Sequence, residues 1–193
     1  MTKEELNIAV LFECSGETSH RLRLAGHRVI SCDLKPSARN SPFHIQGDAI
    51  DVIPDRGPFD MIIMHPPCTA LAVSGNRWYG RGMPRHAERL AAIEWTMDLW
   101  ELAKANARMV AMENPVGVLP LKPTQYVQPW QFGHGETKKT GWWLHNLPPL
   151  QPTNIVEGRE QKVWKMGPSP KRAEMRSKTY AGMAQAIADQ WGK

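Results

Sequence analysis

An α/β fold built on a mainly parallel sheet is what this 193-residue sequence predicts. Three observations point to it. Short apolar runs alternate with helical stretches through the first half. The run Phe59-Asp60-Met61-Ile62-Ile63-Met64 has the continuous apolar texture of a strand covered on both faces, and it feeds a stiff loop. The clearest helical pattern, residues 86–107, then separates that run from another short apolar run at 109–113.

Taken in order, residues 8–13 read as a first strand, 18–25 as a short helix, and 26–33 as a second strand ending on Asp33. Residues 35–44 form a polar, proline-bearing loop, and 45–48 a brief third strand. Residues 59–64 are the fourth strand. The helix at 86–107 places Leu90, Ile93, Met97, Trp100 and Leu102 near helical spacing. Residues 109–113 form the fifth strand. Beyond Pro115 prolines, glycines and tryptophans dominate, which predicts an irregular but ordered Pro/Trp-rich appendage, because so many tryptophans argue against disorder. A last helix, 180–191, carries Met183, Ile187 and Trp191 on one face. One domain is expected, with 1–115 as the core, 116–175 as an irregular substrate-facing segment, and 176–193 returning to the core.

Composition narrows the function. No stretch approaches a membrane span, and the first residues lack the layout of a signal peptide, so a cytoplasmic protein is expected. Cys14, Cys32 and Cys68 make no CxxC pair, and the seven histidines show no HxH or HExxH spacing. No metal is expected. The net charge of +5 and pI near 9.2 favour a polyanionic partner. Two basic stretches sharpen this: residues 157–178, and Asn76-Arg77-Trp78-Tyr79-Gly80-Arg81 just past the Pro66-Pro67-Cys68-Thr69 loop.

That loop is the most informative segment. Two prolines hold it stiff and remove two backbone donors, and Cys68 follows a strand end, where open α/β sheets keep their ligands. Glu113-Asn114-Pro115 ends the fifth strand 45 residues later. Adjacent strand ends would bring a thiol and a carboxylate to one crevice. In the first half, Phe12-Glu13-Cys14-Ser15-Gly16 makes a small-residue turn before a helix, which lets a ligand approach amides at the helix amino end. Asp33 is placed to bind ribose hydroxyls, and Asp48 to receive an adenine amino group. Asp51 and Asp55 read as turn or cap residues. GxGxxG and GxxxxGK[ST] are both absent.

The set FECSG, SCDL, QGD, FDMIIMHPPC and ENP resembles the S-adenosylmethionine-dependent DNA cytosine-5 methyltransferases, and in particular their compact phage-type members. VSGNRWYG, YVQPWQFGHGETKKTGWWL, LPPLQPTNIVEGREQ and RSKTYAGMAQAIADQWG extend the resemblance along almost the whole chain. It implies a Rossmann-like methyltransferase sheet with helices on both faces, in the cytoplasm of a bacterium or phage-infected host. It implies S-adenosyl-L-methionine as cofactor, held by Phe12, Cys14, Ser15, Gly16, Asp33, Leu34, Asp48 and Pro66. It implies DNA, duplex or single-stranded, as partner. Cys68 would be the nucleophile, Glu113 the residue that holds the target base, and Asn114 its helper.

The chain departs from that pattern in places. Only one glycine remains in the first motif, His65 precedes the paired prolines, and Thr69 follows the cysteine. No QxRxR motif supplies an arginine for the cytosine carbonyl, leaving Arg159 and Arg176 as candidates, and there is no room for a separate recognition domain of ordinary size.

Sulfur suits the chemistry, since a thiolate can add to carbon 6 of cytosine and make carbon 5 a nucleophile. Glu113, protonated or sharing a proton with ring nitrogen 3, would relieve the charge. The base must be flipped out or already unpaired. Trp78 and Tyr79 would stack on it, and Pro67, Arg77, Arg81 and Lys138 would contact the strand. His65 is expected to pack or hydrogen-bond rather than act as a base, and Trp142 and Trp143 to be core or groove residues. Three alternatives stay open: methylation of an exocyclic amine, modification of a free cytidine nucleotide, and a DNA-binding relative without turnover. The oligomeric state is open, with a monomer favoured.

Overall fold

The computed structural model describes residues 4–161 and 178–193. Seven strands form one sheet in the order β3-β2-β1-β4-β5-β7-β6. They are β1 (Asn7–Leu11), β2 (Arg28–Asp33), β3 (His44–Gln46), β4 (Phe59–Met64), β5 (Ala107–Pro115), β6 (Gln125–Val127) and β7 (Thr140–His145). β1 to β5 are mutually parallel, and β7 runs antiparallel to both β5 and β6. This is the mainly parallel, Rossmann-like sheet that the sequence predicts, and its order reverses direction at β1, between β2 and β4.

Alternation of side chains divides the core in two. Ile8, Val10, Met61, Ile63 and Ala111 point to one face, where Leu22 of α1 (Glu17–Leu24) and Met183, Ile187 and Trp191 of α5 (Ala181–Trp191) cover them. Ala9, Leu11, Ile62, Met64, Val110 and Met112 point to the other, under α2 (Ala49–Arg56) and Leu99, Trp100 and Ala103 of α4 (His86–Asn106). Residues 8–11 of β1 and 61–64 of β4 are thereby buried whichever way they point, which is why those stretches read as unbroken apolar runs. His27 ties the layers at one end, taking the Leu6 N–H on Nδ1 and bonding the Gly192 carbonyl through Nε2.

Three features differ from the sequence reading. Residues 49–56 form α2, capped by Asp48, whose side chain accepts the Ile50 N–H. Pro54 in its last turn hides the helix from pattern reading. The segment after Pro115 contributes β6 and β7, so it is irregular only in part. On α4 the buried face is Arg89, Thr96, Leu99, Trp100 and Ala103, while Leu90 is 55% exposed. The inward stripe holds two polar residues, and apolar spacing alone rotates the helix wrongly.

Candidate active site

The strand register assembles the site. Leu11 pairs with Cys32 and Met64, and Met64 pairs with Met112. One step further along, Phe12, Asp33, His65 and Glu113 therefore stand side by side toward the carboxyl ends of four parallel strands. Because successive strand residues alternate, His65 and Glu113 both emerge on the face covered by α1 and α5. Their side chains meet, with His65 Nδ1 3.3 Å from Glu113 Oε2. The His65 ring also packs edge-on against Trp142 at 6.0 Å.

Glu113 faces an enclosed pocket lined by His65, Lys138, Thr140, Trp142, Tyr180 and Met183. Burial pushes its carboxyl upward, but the His65 hydrogen bond, the Lys138 charge and Thr140 outweigh that and hold it below its ordinary value of 4.5. The group is thus a carboxylate at neutral pH. In this state Glu113 offers acceptors to a partner.

Cys68 lies half-buried three residues beyond His65. Its carbonyl accepts the N–H groups of Leu71 and Ala72, which closes a turn on the twin-proline loop. Pro66 is buried and Pro67 exposed. Asn114 is 1% exposed and donates from Nδ2 to the Pro66 carbonyl at 3.2 Å. It does not orient Glu113 through a hydrogen bond; it ties the Cys68 loop to β5.

The residue that sequence reading missed is Arg89. Its guanidinium donates to the Ala70 carbonyl at 2.7 Å, the Ala72 carbonyl at 3.2 Å and Asn76 Oδ1 at 2.7 Å. Arg89 is 5% exposed, so a buried cation from α4 holds the loop that follows Cys68. An arginine on a helix ordinarily reads as solvent-facing, and nothing in the pattern signals otherwise. Replacing it (Arg89→Met) leaves carbonyls at the loop without their donor, at about 1–3 kcal/mol for each group left buried and unsatisfied. Thermal unfolding is expected to fall accordingly, and an unchanged midpoint would show that the loop is held by other means.

At the β1 end, Phe12 and Gly16 adopt left-handed backbone, with φ of 59° and 68°. Phe12 packs edge-on against Trp95 at 5.8 Å. The Thr18 and Ser19 amides at the amino end of α1 are already taken, because Glu13, 4% exposed, accepts their N–H groups at 2.6 and 3.2 Å. An internal carboxylate takes the role expected of a bound anion. Ser15 Oγ accepts the Glu17 N–H, and Cys14 sits half-buried with its thiol pushed up by burial and by Asp33. A Cβ on Gly16 would lie 2.9 Å from the Arg39 side chain, whose guanidinium pairs with Glu17 at 3.0 Å. Gly16→Ala combines that displacement with left-handed strain of about 1–2 kcal/mol. Thermal unfolding should fall accordingly; an unchanged midpoint would show that the turn accommodates the methyl group without strain.

Asp33 ends β2 with Oδ1 on the Lys35 N–H, and the neighbouring Leu34 is 74% exposed. Asp48 is the α2 cap already described, while Asp51 and Asp55 lie on that helix's exposed side.

The expected strand contacts separate. Arg77 and Arg81 are exposed, and Arg77 stacks over the exposed Trp78 at 5.3 Å. Tyr79 is 4% exposed beneath Arg85, so it presents no free face for stacking. On α3 (Asn76–Tyr79) Tyr79 alone points inward, which adjacent aromatics in a sequence cannot reveal. Lys138 lies beside Glu113 and over the Tyr180 ring at 6.0 Å. Of the nearby polar cluster, Glu136 accepts the Tyr180 hydroxyl and His134 Nε2 accepts the Gly182 N–H, so both pack on α5. Arg159 stacks over Trp130 at 4.0 Å and donates to the Val156 and Gly158 carbonyls, a place on its own turn that leaves the cytosine-contact role unsupported. Arg176, the other candidate, lies outside the described residues. Trp142 and Trp143, 0% and 4% exposed, are core residues.

Among the described residues no group of three or more His, Cys, Asp or Glu could hold a metal ion, and no helix is long and apolar enough to cross a membrane.

No family model and no curated protein matches the chain. Solved structures that it is similar to include the Entamoeba histolytica methyltransferase EhMeth, at TM-score 0.48 and 13% identity over 82% of this chain and 57% of that one. The S. pombe Dnmt2 methyltransferase follows at 0.49 and 13%, over 73% and 49%. NSun6 from Pyrococcus horikoshii, with SFG, is at 0.46 and 16%, over 72% and 46%. This chain spans about half the length of those proteins, and at these scores they stand as likenesses alone.

Proposed function

We propose that the protein transfers a methyl group from S-adenosylmethionine to carbon 5 of cytosine in DNA, through a covalent adduct at Cys68. The observation that supports this best is the register of β4 and β5. It sets Glu113 beside His65, three residues from the half-buried Cys68, at the carboxyl end of the parallel strands, where the β1 turn and Asp33 also lie.

The residues at β1 and β2 fit the cofactor. Gly16 makes the tight left-handed turn, Asp33 offers carboxylate acceptors to ribose hydroxyls, and the exposed Leu34 gives apolar cover for a flat base. Phe12, Cys14, Ser15, Asp48 and Pro66 complete the set of residues that would hold it. When bound, the cofactor supplies an electrophilic methyl group on a sulfonium.

The protein supplies the rest. The Cys68 thiolate adds to carbon 6 of the base, and the displaced electron pair makes carbon 5 nucleophilic. After carbon 5 is methylated it loses its proton, the ring double bond re-forms, and the thiolate leaves. Glu113, held as a carboxylate, accepts from the exocyclic amine of the base and fixes its orientation. Asn114 and Arg89 keep the Cys68 loop in place from two sides, one from β5 and one from α4.

The test is modified-nucleoside analysis. DNA incubated with protein and isotope-labelled cofactor should yield labelled 5-methylcytosine by mass spectrometry. Label found only on an exocyclic amine, or none at all, would refute the proposal.

A further inference from the structure

Beside the Cys68 loop lies an open cavity of about 440 Å³, lined by Thr69, Ser74, Gly75, Trp78, Tyr79 and Arg85. Its first residue, Thr69, is the chain neighbour of Cys68. Its rim carries Trp78, 52% exposed, with Arg77 stacked at 5.3 Å. Arg81 is exposed just beyond. Arg85, over Tyr79 at 4.6 Å, is held by two hydrogen bonds to Glu88, at 2.7 and 2.6 Å. The wall is therefore fixed on one side and cationic on the other.

We infer that this cavity is a seat for an unpaired nucleotide next to the target, and that the protein's substrate is single-stranded DNA. An exposed indole offers a face to a base, and only an unstacked base has a free face to return. A duplex buries its base faces in the stack and presents phosphates and groove edges instead. Arginines 77 and 81 supply the charge complement to the strand's phosphates. The cavity volume falls within the range of small-ligand sites and suits one nucleotide. The inference rests on DNA being the substrate, as proposed above, and adds which form of it is bound.

Binding tests it without requiring turnover. Fluorescence anisotropy would compare a labelled cytosine-containing 12-mer, the same 12-mer as a duplex, and its ribonucleotide counterpart. The single DNA strand should bind at least about tenfold tighter than the duplex, with affinity falling as salt rises. Trp78→Ala should weaken it about 5- to 160-fold, the range for losing one base–aromatic stack. Trp78→Phe should restore most of that loss, and both variants should melt like the parent because the side chain is exposed. Duplex or RNA binding as tight as the DNA strand, or an Ala variant that binds unchanged, overturns the inference. Methyl transfer with Trp78-independent binding sinks this inference alone. Strand binding through Trp78 without any methyl transfer sinks the proposed reaction alone.

Discussion

Cys68→Ser is expected to reduce methyl transfer by on the order of a thousandfold or more, to background, with cofactor binding unchanged. A hydroxyl in place of the thiol is almost never ionised near neutrality, so the first bond to carbon 6 does not form. Serine is nearly isosteric at a half-buried loop position, and the carbonyl that holds the turn to Leu71 and Ala72 belongs to the backbone. Folding should therefore survive, and the loss should fall on turnover rather than on DNA affinity. Labelled-product assays with calorimetry in parallel would check both halves. A variant that retains activity would show that the methyl group goes to an atom needing no covalent activation.

Glu113→Gln should lower kcat about 10²- to 10⁴-fold, since it replaces an acceptor pair with a mixed amide at the point that orients the base. It also makes a prediction for stability against pH. The folded-state carboxyl lies below its ordinary 4.5, the burial that raises it being outweighed by His65, Lys138 and Thr140. A depressed carboxyl stabilises the fold above its unfolded value and loses that contribution as pH falls through the folded one. The parent should thus be more stable than the variant at neutral pH, and the gap should close in acid. Thermal melts at pH 7 and at pH values below 4.5 would measure it. A gap that widens in acid would mean that Glu113 is protonated in the folded protein.

Much of this frame was legible from residues alone, for a physical reason. β4 has the bounds that the sequence predicts, because burial on both faces forces a continuous apolar run and the prolines end it sharply. Met183, Ile187 and Trp191 fall on the buried face of α5 for the same kind of reason, a consistent helical stripe. Pattern failed where polar groups sit inside. Arg89 and Thr96 face inward on α4 because their polar atoms find partners there, Arg89 in the loop and Thr96 in the Ala92 carbonyl. β7 was hidden because Trp142 and Trp143 are both buried, one on each face, in a stretch whose prolines and glycines suggested an appendage. Glu13 was missed as the α1 cap because its partners are the amides of Thr18 and Ser19, five and six residues on, across a left-handed glycine.

The site follows the same division. The placement of Cys68 and Glu113 at neighbouring strand ends came from strand order, which local patterns carry. The lowering of the Glu113 carboxyl comes first from His65 at the end of β4, then from Lys138 and Thr140, which lie far along the chain and reach it only through tertiary pairing. The loop contact of Asn114 was hidden for the same reason: its partner, the Pro66 carbonyl, is 48 residues away in the chain and next to it in space.

Trapping the covalent intermediate tests the central claim most directly. A single DNA strand carrying 5-fluorocytosine, mixed with protein and S-adenosylmethionine, blocks the last step because fluorine cannot leave as a proton does. A denaturation-resistant protein–DNA species should form only with cofactor present, and peptide mass spectrometry should place the bond on Cys68. Methylated DNA from unmodified cytosine with no such species, or a crosslink on any other residue, would contradict it.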